Sequence, residues 1–182
     1  MNRRNATAWI GTSVLLLGGL LVPGARAASV SDSEQVSRLL SEAKTMAFQL
    51  KEDALAMESF SRMNVSWESH KLTINQIRDH INALAKQAAK LKAAEVSASP
   101  WQKEAINRIN PYLDELGGYT TAVIAHLNGD QKRNLAEYKD YLEANADYAT
   151  DLAAMIGDFV DYGNARQRME RLGEKLEVAP FR

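Results

Sequence analysis

Apolar residues recur along residues 66–95 at alternating steps of three and four. This spacing keeps one narrow face of a helix apolar, as in helices that pack side by side. Ser66 can accept a hydrogen bond from the free N–H groups of the first turn, and so marks the start of the helix. At ~1.5 Å per residue the helix is roughly 45 Å long, and its apolar face needs partner helices. The positions on that face are Trp67, His70, Ile74, Ile77, Ile81, Leu84, Ala88 and Leu91.

Three further segments have the same spacing, and they predict helices over residues 32–63, 100–128 and 130–177. Ser31 or Asp32 is the expected cap of the first helix and Asp130 that of the last. Ser99, Pro100 and Gln102 form a strong helix start for the third, which we expect to kink at Pro111. The apolar faces are Val36, Leu40, Ala43, Ala47, Leu50, Ala54 and Met57; then Trp101, Ala105, Ile109, Tyr112, Leu116, Tyr119, Val123 and His126; then Leu135, Tyr138, Leu142, Asn145, Ala149, Leu152, Ile156, Phe159 and Gly163.

The links between these segments are one to four residues long by the predicted helix bounds. Links this short favour antiparallel neighbours, so the sequence predicts an all-α, up-down-up-down four-helix bundle with a long C-terminal helix. The last helix either breaks near Tyr162-Gly163-Asn164 or projects its last four turns beyond the bundle. Something must then cover Met169, Leu172 and Leu176. A weak homodimer is the favoured cover, ahead of docking within the chain and of fraying.

The N-terminus has the pattern of an export signal. Arg3 and Arg4 precede an apolar run of about 14 residues, which is short for a transmembrane helix. Pro23 and Gly24 follow, and then the small-x-small pattern Ala25-Arg26-Ala27. We therefore expect residues 1–27 to be a cleaved signal peptide, with no stable membrane anchor afterwards. Residues 28–182 are then a single helical domain that is exported to a periplasmic or extracellular space.

Composition narrows the classes of function. Residues 1–27 contain three arginines and no acid, so the remaining chain has 19 basic and 23 acidic residues and a formal charge of −4. This balance offers no basic stripe for nucleic acid. The chain has no cysteine, so disulfides and thiolate chemistry are excluded.

His70 and His126 are the candidate site residues. Antiparallel helices would bring both to the same end of the bundle, where Tyr138 opens the last helix. The two imidazoles could hold a metal or a non-covalent haem. We favour the simpler interpretation, in which the histidines are partly buried and hydrogen-bonded to a tyrosine, a carboxylate or a helix-end carbonyl. No Glu lies three residues before any histidine, so the di-iron bundle motif is absent.

The remaining polar residues favour structural roles over catalysis or ligand binding. His80 lies at mid-bundle and could form a polar ring with Gln49, with Asp114 or Glu115, and with Asn145; exposure of most of these groups is the favoured alternative. Acids along the last helix predict a solvated face and not a cation site. They are Asp140, Glu143, Asp147, Asp151, Asp158 and Asp161, and the second helix carries the opposite charges on Lys71, Arg78, Lys86, Lys90 and Lys92.

No phosphate loop, nucleophile elbow or metalloprotease helix occurs in the sequence. We therefore expect a non-enzymatic protein without a cofactor, one that works as a binding or structural module with an unidentified protein partner. The alternative is a metal- or haem-binding bundle that uses His70 and His126.

Overall fold

The computed structural model describes residues 31–129 and 135–177, which form four α-helices packed together as a bundle. Helix α1 is Glu34–Ser59, α2 is Trp67–Ala94, α3 is Pro100–Gly129 and α4 is Ala136–Leu176. Short 3-10 helices, Phe60–Arg62 and Glu95–Ser97, extend α1 and α2. The prediction of an all-α chain is confirmed for these residues, among which there is no strand. The predicted signal peptide, residues 1–27, and the predicted cap Asp130 lie outside them.

The helix starts agree only in part with the prediction. Ser66 caps α2 by accepting a hydrogen bond from the Ser69 amide at 3.2 Å, as predicted. The cap of α1 is Ser33, so the prediction of Ser31 or Asp32 is wrong. The Asp32 carboxylate cannot serve there because it faces α3 and α4 instead.

Helix α4 begins later than predicted and does not break. The backbone is extended at Leu135, which flanks the helix without a side-chain cap, so the helix can begin only at Ala136. From there it continues through Gly163 to Leu176. Likewise, α3 continues through Pro111.

The core lies along the predicted faces of α1 and α2. All seven predicted positions of α1 and seven of the eight in α2 are buried. Trp67 is only half-buried, contrary to the prediction, because it occupies the first turn of α2 at the edge of the bundle. Gln87 is a buried residue that the apolar spacing does not include; its amide donates to the Leu39 carbonyl at 3.0 Å.

The buried face of α3 agrees only in part with the prediction, because Ala105, Ile109, Leu116 and Val123 are buried as expected and the other four predicted positions are not. The expected residues Trp101, Tyr112, Tyr119 and His126 are half-buried. In each case the next residue is buried, namely Gln102, Leu113, Thr120 and Leu127. One residue turns a helix by about 100°, so the aromatic side chains of α3 face away from the centre of the core. The predicted face of α4 is buried from Tyr138 to Ile156, after which Phe159 and Gly163 are half-buried.

Four pairs of helices pack along their length: α1 with α2 and with α4, and α3 with α2 and with α4. In the first half of α1, the Lys44 ammonium pairs with the Asp161 carboxylate, in the second half of α4, at 2.8 Å. Near the end of α2, the Lys92 ammonium donates to the Asn107 side-chain oxygen, near the start of α3, at 3.1 Å. Among the helices of residues 31–129 and 135–177, none is both long and apolar enough to span a bilayer.

Candidate functional site

The predicted pair of site residues, His70 and His126, meets at a third side chain. Nδ1 of the buried His70 lies 2.6 Å from the Tyr138 hydroxyl, in a hydrogen bond whose direction depends on the tautomer. The ring of His126 stacks on the Tyr138 ring with 4.9 Å between centroids. Phe60 lies 5.2 Å from the His70 ring. Side chains from α2, α3 and α4 thus converge on one end of the bundle.

The hydrogen bond between His70 and Tyr138 is of the kind expected in the simpler interpretation, in which the histidines bond to a tyrosine, a carboxylate or a carbonyl. Within the described ranges, no group of three or more His, Asp or Glu side chains is placed to hold a metal ion. A metal or haem at this cluster would have to be held by the two imidazoles. One ring nitrogen of His70 is already occupied by the hydrogen bond with Tyr138. The metal role of His70 and His126 stays a prediction.

The mid-bundle polar ring does not form. His80 is half-buried, with its Nδ1 3.1 Å from the Asp53 carboxylate, close enough for an ion pair when the imidazole is protonated. Asn145 is buried and accepts a hydrogen bond from the Thr120 hydroxyl at 3.1 Å. The other expected members are exposed: Gln49, Asp114 and Glu115. His80 and Asn145 therefore belong to two separate polar pairs.

The feature that the sequence reasoning missed is a run of aromatic side chains between α3 and α4. Tyr119 and Tyr148 stack with centroids 5.6 Å apart, and Tyr112 meets Tyr148 edge-on at 6.3 Å. Farther along, Trp101 meets Tyr162 edge-on at 5.5 Å. We call this surface the aromatic groove. Its members are Trp101, Tyr112 and Tyr119 of α3 and Tyr141, Tyr148, Phe159 and Tyr162 of α4.

The Trp101 end of the aromatic groove opens into a cleft of about 650 Å³. Met155 and Phe159 line it from α4, and Arg108 lies over the Phe159 ring at 5.7 Å. Glu104, Asp151 and Asp158 also line the cleft, with Arg108 as the only basic lining residue. The cleft is therefore aromatic at its base and acidic at its edge.

Acidic groups accompany the tyrosines along the rest of the groove. The Glu115 carboxylate is the main cause of a raised pKa at Tyr148, because its charge disfavours the ionised phenol. Tyr141 donates a hydrogen bond to Glu137, and this bond, which only the neutral phenol can donate, raises the pKa of Tyr141. These tyrosines consequently remain neutral hydrogen-bond donors at neutral pH. The acids predicted to form a solvated face of α4 are all exposed, as are the predicted bases of α2.

Polar contacts hold the Trp101 side chain in place. Its indole N–H donates to the Asp32 carboxylate at 2.7 Å, and the other Asp32 oxygen lies 3.5 Å from Arg166 of α4. Gly163 lies directly under the indole, where a Cβ would come within 2.7 Å of the ring. A polar cavity of about 290 Å³ flanks this anchor on the α1 side. The segment before α1 is thereby tied to both helices that form the groove.

Comparison with known proteins gives no relative: no protein-family profile, no curated protein and no solved structure matches this chain. One sequence signal could have revealed the aromatic groove. Residues of α4 at intervals of seven are all tyrosine, methionine or leucine, and this stripe lies beside the predicted core face, not on it. Its members are Tyr141, Tyr148, Met155, Tyr162, Met169 and Leu176.

Proposed function

We propose that this chain is an exported, non-enzymatic helical-bundle protein that acts as an interaction module through the aromatic groove. The observation that supports this function is the aromatic cleft with acidic edges between α3 and α4. Export to a periplasmic or extracellular space is supported by the pattern of residues 1–27, with its paired arginines, apolar run and small-x-small end.

The proposed connectivity of the bundle is up-down-up-down. It is supported by contacts between the beginning of one helix and the end of its neighbour. Lys44 in the first half of α1 pairs with Asp161 in the second half of α4, and Gln87 late in α2 donates to the carbonyl of Leu39 early in α1. Short links between helices favour the same arrangement.

The chemistry of the groove indicates the class of partner. Half-exposed tyrosines and a tryptophan offer large, rigid contact surfaces with hydrogen-bonding ends, the residue types enriched at protein interfaces. Carboxylates at the edge favour cationic groups, and aromatic faces also attract Lys and Arg side chains. A helical segment with an apolar face flanked by basic residues matches both properties.

Trp101 provides a direct test because it lies in the cleft. With Trp67 replaced by Phe, Trp101 is the single tryptophan of residues 28–182. We expect its fluorescence to change saturably when a basic amphipathic helical peptide is added. A peptide with the same apolar residues and Glu in place of each Lys and Arg is the control. An equal response to both peptides, or no response to either, would contradict the proposed function.

The second candidate function is metal or haem binding at His70 and His126. It is favoured by one observation, the convergence of both imidazoles on Tyr138 at one end of the bundle. The measurement is a visible absorption spectrum with metal analysis of protein purified from its native compartment. A haem band, or one equivalent of metal that is lost in His70→Ala and kept in His80→Ala, would establish this function in place of the first.

A further inference from the structure

The apolar stripe of α4 continues beyond the helix that covers it. Tyr141, Tyr148 and Met155 lie along α3 or line the cleft that α3 forms. Helix α3 begins at Pro100, and its Trp101 meets the stripe at Tyr162. The next positions of the stripe, Met169 and Leu176, are 56% and 65% exposed, and Leu172 beside them is 50% exposed. We call residues 165–177 the projecting segment.

The projecting segment is helical without a covering partner in the described part of the chain. About twelve residues are marginal as an isolated helix in water. Neither Asp32 nor the Ser97–Ser99 link removes the three apolar side chains from solvent, since each remains at least half exposed. Docking within the described chain, one of the alternatives predicted from the sequence, is therefore not what covers them.

Charges on α4 change sign along the stripe. Before Gly163, the charged residues beside it are acids, and Asp151 and Asp158 are the two of them on α4 that line the cleft. After Gly163, the bases Arg166, Arg168 and Lys175 flank the stripe; Glu170 lies as close to it as Arg168 but is paired with Arg166, and Glu174 lies on the far side of the helix. Arg166 is already paired with Asp32 and Glu170. Among the described residues, no ion pair involves Asp151, Asp158, Arg168 or Lys175.

We propose that the partner of the aromatic groove is a second copy of this chain, whose projecting segment lies in the cleft antiparallel to α4. Arg168 follows Gly163 by five residues and Asp158 precedes it by five; Lys175 follows by twelve and Asp151 precedes by twelve. A two-fold axis near Gly163 therefore brings Arg168 level with Asp158 of the second copy, and Lys175 level with its Asp151.

The same two-fold axis covers the apolar residues. The side chains of Met169 and Leu172 pass over the cleft of the second copy, and each copy gives and receives one segment. Such an interface is closed, so it yields a dimer and not a filament. Two helical segments of about 16 to 20 Å each form a small contact area. We accordingly expect a weak dimer, with dissociation in the micromolar range. This inference deepens the proposed function by naming the partner.

Sedimentation of the mature protein across micromolar concentrations tests the association. We expect Arg168→Glu/Lys175→Glu to weaken the dimer at least tenfold, and Asp151→Lys/Asp158→Lys to do the same. All four side chains are exposed, so these changes should leave the helical fold intact. Combining the four substitutions should restore association, because every proposed pair is then reversed. Lys71→Glu/Lys86→Glu, an equal charge change on α2, is the control and should leave the dimer unchanged.

Three outcomes would overturn the inference. The first is a wild-type protein that stays monomeric throughout the concentration range. The second is a combined variant that fails to regain association, and the third is a dimer on which the charge variants have no effect. If the monomer still bound the basic peptide through Trp101, the proposed function would stand and only the identity of the partner would be wrong. If the protein dimerised without any effect of the charge variants, the interface would lie elsewhere.

Orientation can be tested separately, since the chain contains no cysteine. Leu172 follows Gly163 by nine residues and Ala154 precedes it by nine, and both are exposed. A mixture of Leu172→Cys and Ala154→Cys proteins should form the mixed disulfide dimer in preference to either like pair. Preferential Leu172→Cys dimers would indicate parallel projecting segments and contradict the proposal.

Discussion

At the scale of single residues, Gln102 shows how much one side chain can organise. Gln102 is fully buried, and its Oε1 accepts from the amides of Ser33 and Ser99, both at 3.0 Å. Its Nε2 donates to the Ser33 carbonyl at 2.9 Å and to the Ser37 hydroxyl at 3.0 Å. The bond to the Ser99 amide is the one that a capping box provides, and the spacing of Ser99 and Gln102, which marked the helix start in the sequence, is consistent with it. The bonds to Ser33 and Ser37 were not predictable, because these residues lie 69 and 65 positions away along the chain.

We expect Gln102→Ala to lower the free energy of unfolding by about 2–4 kcal/mol, because buried N–H groups lose their acceptor. Gln102→Glu keeps the acceptor oxygens and loses the two donated bonds, so it separates the two halves of the network. Gln49→Ala, at an exposed position, is the control. The measurement is urea unfolding. A loss below about 0.5 kcal/mol in Gln102→Ala, the range of ordinary surface changes, would show that the network does not stabilise the fold.

Two glycines of α4 offer a matched comparison. A Cβ at Gly157 would have as its nearest contact the end of the Lys44 side chain at 3.9 Å, whereas one at Gly163 would lie 2.7 Å from the Trp101 ring. Gly157→Ala should therefore stabilise the protein by about 0.5–1 kcal/mol, the usual gain of Ala over Gly within a helix.

Gly163→Ala should show no such gain and should shift the Trp101 fluorescence measured in the Trp67→Phe background. The indole cannot move away freely because its N–H is bonded to Asp32. Thermal unfolding of both variants checks the difference. Equal stabilisation by the two substitutions would mean that Trp101 adjusts without cost.

At the scale of elements, the spacing of apolar residues was sufficient for α1 and α2 and insufficient for α3. The residues on the faces of α1 and α2 are mostly aliphatic, and such side chains have no favourable place except the core. On α3, Trp101, Tyr112 and Tyr119 fit the same spacing but carry polar groups that can remain at the edge. The neighbouring residues, including Gln102 and Thr120, are buried in the core instead, and their polar groups are hydrogen-bonded.

The apolar face of α2 gives the prediction at this scale. Ile77 is fully buried and Ile81 is 8% exposed. Truncating either to Ala should cost about 2–5 kcal/mol, since the packed helices around it cannot close the cavity completely. Leu72→Ala, on the same helix at 63% exposure, is the control. Losses below half a kilocalorie per mole at both Ile77 and Ile81 in urea unfolding would contradict the observed packing.

The candidate site likewise has one part that the sequence predicted and one part that it did not. The predicted histidines could be placed at one end of the bundle because helix order and length alone bring their levels together. The aromatic groove could not be predicted in this way, since it depends on the rotation of α3 about its own axis. A rotation of one residue, about 100°, moves a side chain from the core to the groove without changing the spacing in the sequence.

At the scale of the whole molecule, neighbouring helices are joined by apolar faces and by polar contacts, and two further polar contacts join the diagonal pairs. Helices α2 and α4 are diagonal, and the hydrogen bond between His70 and Tyr138 connects them at one end. Helices α1 and α3 form the other diagonal, which Gln102 connects through Ser33 and Ser37 at the opposite end. These two connections are separated by most of the length of α2, roughly 36 Å from His70 to the helix end.

That separation predicts that the two connections act independently. Tyr138→Phe removes one buried hydrogen bond and should cost about 1 kcal/mol. Combined with Gln102→Ala, its effect on the free energy of unfolding should add within about 0.5 kcal/mol, as for distant sites that share no partner. Gln102→Ala combined with Ser37→Ala is the contrast, because these residues share a bond and their effects should not add.

Urea unfolding of the single and double variants closes both thermodynamic cycles. Additivity in the first cycle, with coupling in the second, would show that each diagonal is stabilised locally. A coupling above about 1 kcal/mol between Tyr138→Phe and Gln102→Ala would contradict this, since an interaction of that size is expected only of residues in contact or in one network. The packed apolar core between the two ends would then have to transmit strain along the full length of the helices.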